Sequence, residues 1–385
     1  MRRLFIYISA LLALSVSCQR LEVPEEIPTD KPIGAVGTKA TITFSTAELM
    51  DEQTKAIIDP SVDVNTLHLV LFDENGMYVE TCEATKLGSS DHGDHHSGRH
   101  YTVTLTLTDK PRIIHFVANC PVDQIIYGHE ISVIGNMYVD KNDREHATEY
   151  ETSYWARIEV PFILVEETKQ QLEDGTIKTV ISLHPDIVYQ FNHVPLLRNY
   201  AEITVTDNTD DTFEFLGYTV YNILDRGTVA PYNSNTRAFQ GFIYHPDPTK
   251  DEVKGYSYPQ LTRDFHYEGH ALTSATLITD YARNDDGTVK VFASGEPFYI
   301  YERKVSVMTD EEDKWKESPP HIIIKGRYNH GQPVTDASPI YYYKMDLVYT
   351  QKDAQGHDEI KYYNIIRNFN YQFNITEVHD EGYAD

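Results

Sequence analysis

Alternation of apolar and polar residues runs along most of the chain from Ala40 onward. Segments in which every second residue is apolar, or in which apolar residues run together, predict half-buried and buried β-strands. They cover residues 41–44, 67–72, 101–107, 113–118, 179–183, 201–205, 213–222, 322–324, 341–343, 345–349 and 371–375. Turn signals separate several of them, and the strongest is Asn75-Gly76 after the segment at 67–72. The pattern predicts an all-β protein.

Helical spacing is scarce in this sequence. Residues 140–154 form the best helix candidate, but they are too polar to belong to a core. Many short strands with turns between them are typical of β-sandwiches. A boundary near Pro195 divides the 385 residues into two bodies of ordinary domain size. We therefore predict one sandwich at residues 40–195 and a second at residues 196–385.

Residues 1–18 have the organisation of a secretory signal. Arg2 and Arg3 precede an apolar run at residues 4–14, and small residues lie directly before Cys18. The apolar run is too short to serve well as a membrane span. Residues 14–18 resemble a bacterial lipobox, in which the cysteine is acylated and becomes the first residue. Cleavage by an ordinary signal peptidase is the alternative, because Ser15 and Ser17 also satisfy the small-residue rule.

We predict a signal peptide at residues 1–17, lipid attachment at Cys18 and a tether at residues 18–39. The tether is rich in proline and acidic residues and lacks a periodic apolar face, so it should be extended. Acyl chains on Cys18 would hold the protein to the outer membrane, since each buried CH₂ contributes about 0.8 kcal/mol.

Charge narrows the classes of partner. The chain has 33 basic and 59 acidic residues and a formal charge of −26. Such a balance argues against nucleic acid, whose phosphates need a basic footprint, and against binding anionic lipid through a basic patch. If Cys18 is modified, Cys82 and Cys120 are left. They can form one disulfide in oxidising surroundings, or each can be a small buried residue.

Five stretches of the chain, in this order, resemble Bacteroides-type fimbrial subunits, the type V pilin-like lipoproteins that include major, minor and anchor fimbrillins. The resemblance implies two tandem transthyretin-like β-sandwiches, other fimbrial subunits as partners, and a place on the cell outer membrane and in fimbriae that support adhesion. The stretches are the segment ending at Cys18, residues 53–56 with 64–76, residues 113–121, residues 194–203 and residues 362–371.

The resemblance also implies assembly by strand exchange. In that family a trypsin-like protease removes an N-terminal strand after a basic residue, and the opened groove accepts a strand from a neighbouring subunit. Cleavage usually follows arginine, but no arginine lies between Arg20 and Arg99, which leaves Lys39 or Lys55 as candidates. Alternatively the strand is never removed, as in anchor subunits. Little sequence follows the strand at 371–378, whereas stalk subunits of that family carry a further C-terminal strand for donation. Either this protein donates little, as a terminal subunit would, or the sequence is truncated.

Other candidate sites are weaker. His92, His95 and His96 can ligate a divalent metal, but their segment is rich in glycine and serine, and we expect a solvated loop and no metal site. Asp207, Asp210 and Asp211 loosely suggest calcium, although a charged turn is favoured. The sequence has no nucleophile elbow and no phosphate-binding glycine loop. We therefore expect no catalytic residue, no cofactor and no enzyme activity.

Two other functions compete with the fimbrial one. A surface glycan-binding lipoprotein would use exposed aromatic residues such as Trp155, Trp315 and the many tyrosines to stack on sugars. A surface hydrolase ranks last because no catalytic motif supports it.

Overall fold

The computed structural model describes most of the chain from residue 36 onward. The described residues are 36–46, 64–87, 99–122, 125–140, 153–171, 176–224, 226–233, 238–239, 266–267, 270–271, 277–278, 290–302, 319–352, 355–363 and 365–384. They form mostly β-strands in several antiparallel sheets, which confirms the β-class expected from the alternation. None of the helices in this part of the chain is long and apolar enough to cross a membrane.

In its described residues the first half contributes ten strands and two short helices. The strands are β1 (Lys39–Ser45), β2 (Leu67–Asp73), β3 (Tyr78–Lys86), β4 (His100–Thr106), β5 (Arg112–Ala118), β6 (Tyr138–Asp140), β7 (Tyr154–Val160), β8 (Val165–Gln171), β9 (Ile177–Leu183) and β10 (Leu197–Arg198). The helices are α1 (Glu130–Val133) and α2 (Pro185–Phe191). Each begins at a histidine whose ring accepts a backbone N–H, His129 for α1 and His184 for α2.

The second half contributes fifteen strands within the described ranges. They are β11 (Tyr200–Asp207), β12 (Phe213–Tyr221), β13 (Ile223–Leu224), β14 (Arg226–Thr228), β15 (Tyr232–Asn233), β16 (Ala238–Phe239), β17 (His266–Tyr267), β18 (His270–Ala271), β19 (Leu277–Ile278), β20 (Pro297–Tyr301), β21 (His321–Tyr328), β22 (Ile340–Asp346), β23 (Val348–Lys352), β24 (Asp358–Tyr362) and β25 (Asn370–Ile375).

One seven-stranded sheet organises the first half, in the order β1-β4-β3-β2-β5-β7-β10. Strand β3 changes partner along its length. Its first part pairs with β2, and its last three residues pair with β4. The β2–β3 hairpin predicted from Asn75-Gly76 is confirmed, with Gly76 at a φ of 76° and its N–H donating to the Asp73 carbonyl over 2.9 Å. Glycine adopts this φ without the steric cost of a Cβ.

Two three-stranded sheets dominate the second half, β20-β11-β25 and β12-β21-β22. The pairing of β11 with β25 is parallel. It joins segments that lie more than 160 residues apart in the sequence. Strand β12 contains a bulge between Phe215 and Gly217. The predicted strands at 201–205, 322–324 and 371–375 all fall within these sheets.

Three clusters of buried side chains form the cores. One lies wholly in residues 42–196 and another wholly in residues 201–371. The third combines the opposite face of β2, β5 and β7 with Val229, Ala230 and Tyr301 from the second half. The helix suggested at 140–154 is not described, since residues 141–152 lie outside the described ranges, while Asp140 and Tyr154 belong to strands.

Candidate functional site at the N-terminal strand

Strand β1 is an edge strand of the seven-stranded sheet and the first described strand after the segment predicted to be a tether. All seven of its residues pair in antiparallel register with β4, from Lys39 opposite Thr106 to Ser45 opposite His100. Ile42 and Phe44 are each 1% exposed, whereas Thr41 and Thr43 are exposed. The alternation predicted for this segment therefore places two apolar side chains inward and two threonines outward.

The two inward side chains of β1 complete the first core. The Phe44 ring stacks on Tyr101 at 5.5 Å and contacts Phe116 at the same centroid distance. Ile42 lies in the same cluster. Burying a side chain of this size contributes about 1.5–3 kcal/mol. Removal of β1 would thus open an apolar groove lined by β4 and β5 residues.

The second edge of β1 is only partly covered. At its end the Val194 N–H donates to the Ser45 carbonyl over 2.9 Å, and the His193 N–H donates to Ser45 Oγ over 2.9 Å. Over the rest of β1 the described residues form no strand pair on this side. Half of the backbone groups of an edge strand point away from its partner, so β1 is held mainly by β4 and its two buried side chains.

A charged pair lies at the beginning of β1. Lys39 Nζ lies 3.7 Å from Glu80 Oε2, and the lysine side chain is 64% exposed. The Glu80 carboxylate also accepts the Thr106 N–H and hydroxyl over 2.9 and 3.0 Å. The carboxylate thereby satisfies the Thr106 N–H of β4 at the end of that strand, where β3 is paired with β2 and not with β4.

Of the site residues predicted from sequence, Lys39, Cys82 and Cys120 are described. Cys18, Lys55, His92, His95 and His96 lie outside the described residues. Within the described ranges no group of three or more His, Cys, Asp or Glu side chains is arranged to hold a metal ion. Asp207 and Asp210 instead accept the N–H and hydroxyl of Thr209 and Thr212, as in a charged turn.

Cys82 and Cys120 are free thiols, so the disulfide alternative is not the one found in the structure. Cys82 belongs to β3 and to the first core, whereas Cys120 follows β5 and packs in the third core. Strand β2 lies between β3 and β5, which places these strands roughly 10 Å apart and too far for a disulfide. Burial raises the pKa of each thiol to about 12, so both are protonated.

Trp155 is buried, 3% exposed, and therefore does not offer a surface for sugar stacking. Its Nε1–H donates to Nδ1 of His115 over 3.0 Å, while Nε2 of His115 lies 2.9 Å from Glu130 Oε2. Because Nδ1 accepts, the proton of the neutral imidazole is on Nε2 and is donated to Glu130. Both ring nitrogens are occupied, so this His–Glu pair has no free nitrogen to act as a general base.

The electrostatics of this cluster follow from burial and hydrogen bonding. Desolvation lowers the pKa of His115 to about 4 despite the adjacent carboxylate. Burial opposes ionisation of Glu130, but hydrogen bonds from His115 and Arg157 lower its pKa to about 2. Phe239 covers the cluster, with its ring 4.9 Å from His115 and 5.8 Å from Trp155. The cluster joins α1, the sheet and the β15–β16 hairpin.

A second buried polar cluster was missed by sequence reasoning. Arg367 donates from Nε to Glu302 over 2.8 Å, and both side chains are 1% exposed. Its other nitrogens donate to the Val229 carbonyl and to Thr228 Oγ1 over 2.9 and 2.8 Å. A signal was present: Arg367 directly follows the apolar pair Ile365-Ile366.

Four of the stretches that resemble the fimbrial family are described, and they pack against each other in two pairs. Strands β2 and β5 pair along seven residues, and Asn119 Oδ1 accepts the N–H groups of Asn65 and Thr66. Buried Arg198 donates to Asn368 Oδ1 over 3.2 Å, while the Asn368 N–H donates to the Tyr200 carbonyl. The stretch at 194–203 thus packs against the stretch at 362–371.

Comparison with known proteins shows that the sequence is similar to fimbrial tip subunits. No family model matches the chain. The chain is 25% identical over 337 residues, 85% of its length, to the major fimbrium tip subunit FimE of Porphyromonas gingivalis strain ATCC 33277. A second P. gingivalis protein of the same name matches equally. The chain spans about half of the length of these relatives, since the match covers 45% of each.

Solved structures of fimbrial proteins are also similar. A fimbrilin, FimA, from P. gingivalis W83 is 14% identical with a TM-score of 0.43, covering 89% of this chain and 91% of that one. The tip fimbrial protein Mfa3 from P. gingivalis, truncated at its C-terminus, is 15% identical with a TM-score of 0.42, covering 91% and 97%. At these TM-scores the sequence match, and not the structural likeness, carries the relationship.

Proposed function

We propose that this chain, a relative of the Bacteroidetes fimbrial subunits, is itself a fimbrial subunit that assembles by β-strand complementation at β1 and catalyses no reaction. The single observation that carries the proposal is the position of β1. It is an N-terminal edge strand whose Ile42 and Phe44 fill the first core. A strand supplied by another subunit would satisfy the backbone of β4 and refill the same two pockets.

The proposed organisation is two tandem transthyretin-like β-sandwiches. The first comprises residues 40–195 and the second residues 196–385, after a signal peptide at 1–17 and a tether at 18–39. Two of the core clusters divide close to this boundary, because one extends to Leu196, one residue beyond it, and the other begins at Ala201. The third core joins the two sandwiches across the boundary.

Cleavage at the two candidate lysines would have different consequences. A cut after Lys39 leaves β1 in the groove, because Lys39 is the first residue of that strand. A cut after Lys55, which precedes β2, would separate β1 from the rest of the chain. Only the second cut would prepare the groove for an incoming strand. Without it the protein would remain lipid-anchored through Cys18 and be suited to an anchor role.

The role within the fibre is proposed as an anchor, accessory or tip subunit that supports adhesion at the cell outer membrane. The relatives matched by sequence are named as tip subunits. The tether and Cys18 would hold the protein at the membrane before or during assembly.

The test is recovery of the chain in fimbriae sheared from the producing cells, combined with mass spectrometry of its N-terminus. We expect the protein in the sheared fibres or at their bases. An acylated Cys18 would indicate an anchor, whereas an N-terminus after Lys55 would indicate a subunit opened for strand exchange. Recovery only as a monomer that is never associated with fibres would contradict the proposal.

A matched pair of variants tests the role of β1. Phe44→Asp places a charge in the β4–β5 groove and should abolish incorporation, because an unpaired buried charge is strongly unfavourable. Thr43→Asp changes the neighbouring exposed position on the same strand and should leave incorporation unchanged. Equal incorporation of both variants would mean that β1 does not need to fill the groove before strand exchange, which would contradict the proposal.

A further inference from the structure

At Ser45, strand β1 contacts a second segment on the edge that faces away from β4. The His193 N–H donates to Ser45 Oγ and the Val194 N–H donates to the Ser45 carbonyl, each over 2.9 Å. Thr46, the next residue, is bridged to Val194 in parallel register. We call His193 and Val194 the clamp, because they hold the end of β1 from the side opposite to β4.

The clamp has a backbone conformation that few residues other than glycine adopt. The φ of His193 is 58°, in the left-handed region, directly after the C-cap of α2 at Asn192. Two successive N–H groups thereby reach one residue of β1, the first its side chain and the second its main chain. Residues in such conformations persist where the surrounding structure holds them, and they are frequent in ligand clamps. The conformation of His193 therefore points to a role in holding Ser45.

The Ser45 side chain is enclosed, although its neighbours on the same face are open. Side chains two residues apart on a strand point to the same side, yet Ser45 is 4% exposed and Thr41 and Thr43 are exposed. An incoming strand without a hydroxyl group at this position would remove the acceptor of the His193 N–H. An N–H that loses its acceptor weakens association. The clamp therefore favours serine or threonine at this position.

The register of an incoming strand needs more than alternation. A shift by one residue turns the apolar side chains outward, but a shift by two keeps them inward. The order of pocket sizes opposes both shifts by two, since Ile42 lies opposite Val103 and Phe44 lies opposite Tyr101. One shift puts an aromatic ring opposite Val103, and the other leaves an aliphatic side chain opposite Tyr101. Overpacking and cavities are both unfavourable.

The aromatic pocket and the clamp are read by adjacent residues of the strand. Phe44 points inward to Tyr101 and Phe116, and Ser45 points outward to the clamp. We propose that the clamp, together with this pocket, selects the strand that another fimbrial subunit supplies. In the direction of β1, that strand carries an aliphatic residue, any residue, an aromatic residue and then serine or threonine. This inference rests on the proposed function.

The first test measures strand exchange on the full chain, cut at a specific protease site introduced after Lys55. A labelled peptide with the sequence of residues 36–46 replaces the resident strand, and binding is followed by fluorescence polarisation. The Ser45→Ala peptide should bind about fivefold more weakly than the natural peptide, as expected for one lost hydrogen bond. The Thr43→Val peptide is the matched control. It loses a hydroxyl group from an exposed position and should bind within about twofold of the natural peptide.

A third peptide tests the register. Exchanging Ile42 and Phe44 keeps both the composition and the alternation of the natural peptide. Each pocket then receives a side chain of the wrong size, so binding should weaken by about tenfold or more. Binding equal to that of the natural peptide would show that alternation is sufficient, and would overturn the predicted order of aliphatic and aromatic residues.

Fibres from producing cells give an independent readout. A photo-crosslinking amino acid replaces Thr104, an exposed residue of β4 opposite Thr41. In a control it replaces Tyr189, which is 62% exposed on α2. From position 104 we expect mass spectrometry to identify a segment of another subunit in which serine or threonine directly follows an aromatic residue. Position 189 should capture no such segment. A segment captured at position 104 without that hydroxyl residue would overturn the proposal.

The outcomes separate the two proposals. Equal binding of the natural, Ser45→Ala and Thr43→Val peptides would overturn selection by the clamp and leave strand complementation standing. If the cut chain does not fold, the segment captured at position 104 decides. Failure of every peptide to exchange, together with absence of the protein from sheared fibres, would contradict the proposed function and the role of the clamp with it.

Discussion

Two buried clusters, one around Arg367 and one around His115, differ in how their polar groups are hydrogen-bonded and charged. Arg367 is charged, and its guanidinium is matched by Glu302, a backbone carbonyl and Thr228 with almost no exposure. Burial raises the pKa of Glu302 even against the neighbouring guanidinium. His115 is neutral, and the charges beside it lie on Glu130 and Arg157, which are 11% and 23% exposed.

This difference determines whether each cluster is more sensitive to mutation or to acid. A fully enclosed ion pair is costly to break from one side, because the remaining charge has no water to solvate it. A neutral histidine with both nitrogens used is sensitive to protons instead, since a second proton has no acceptor. The Arg367 cluster should therefore respond to mutation most strongly and the His115 cluster to acid.

The largest effect is expected from Arg367→Met. Glu302 would remain buried without its partner, so the free energy of unfolding should fall by about 3–5 kcal/mol, measured by urea denaturation. If the single variant does not fold, the double variant Arg367→Met with Glu302→Leu provides the check. Replacing both members of a buried pair by apolar residues is often close to neutral, so a double variant as unstable as the single one would contradict this account.

Acid should destabilise the His115 cluster. The pKa of His115 is lowered from 6.5 to about 4 in the folded protein, so the folded state favours the neutral ring. Its contribution is fully present above pH 6.5 and is lost as pH falls from 6.5 towards 4. The loss should be on the order of 3 kcal/mol across this window. The measurement is urea unfolding at several pH values for the natural chain and for His115→Phe, whose stability should depend less on pH.

Trp155→Phe should have an intermediate effect. The change removes the N–H that His115 Nδ1 accepts and leaves a buried acceptor unsatisfied, at a cost of about 1–3 kcal/mol. Tyr341→Phe serves as a comparison, because it removes a polar group from an aromatic residue that is also mostly buried in the second core. A Trp155→Phe variant as stable as the natural chain would mean that the hydrogen bond to His115 contributes little.

The smallest effect is expected at Arg327. Its ion pair with Glu214 joins side chains that are 24% and 48% exposed over 3.1 Å. Ion pairs this open to solvent contribute about 0–1 kcal/mol. Glu214→Gln, which removes the ion pair and keeps the bond from Arg327 Nη1 to the Ser338 carbonyl, should therefore change stability by less than about 1 kcal/mol in the same urea experiment. A loss as large as that of Arg367→Met would show that enclosure is not what separates the two arginines.

Much of the secondary structure could be predicted because it is local. The β2–β3 hairpin followed from alternation and Asn75-Gly76, and the strands around residues 101–107 and 113–118 followed from apolar positions alone. Helix α2 was not predicted, although Pro185 at its first residue and His184 before it are recognisable start signals. Seven residues offer too short a periodic pattern to stand out.

Less of the candidate site could be predicted from the sequence. The sequence indicated a strand at residues 41–44, but not that it is an edge strand whose Ile42 and Phe44 complete a core. The prediction that Trp155 faces solvent was wrong because its hydrogen-bond partner, His115, lies 40 residues away. Burial of an aromatic residue depends on what packs over it, here Phe239 from the second half.

By itself the sequence determined roughly where many of the strands lie, which of their faces is apolar and that the chain is acidic. The first two properties depend on the alternation of residues two positions apart, and the third on the numbers of acidic and basic residues. Only the tertiary structure decided that β3 changes partners, that β11 pairs in parallel with β25, and that Arg367 reaches Thr228 across 139 residues. Strand pairing and desolvation depend on which distant groups meet, and alternation within a strand carries no record of its partner.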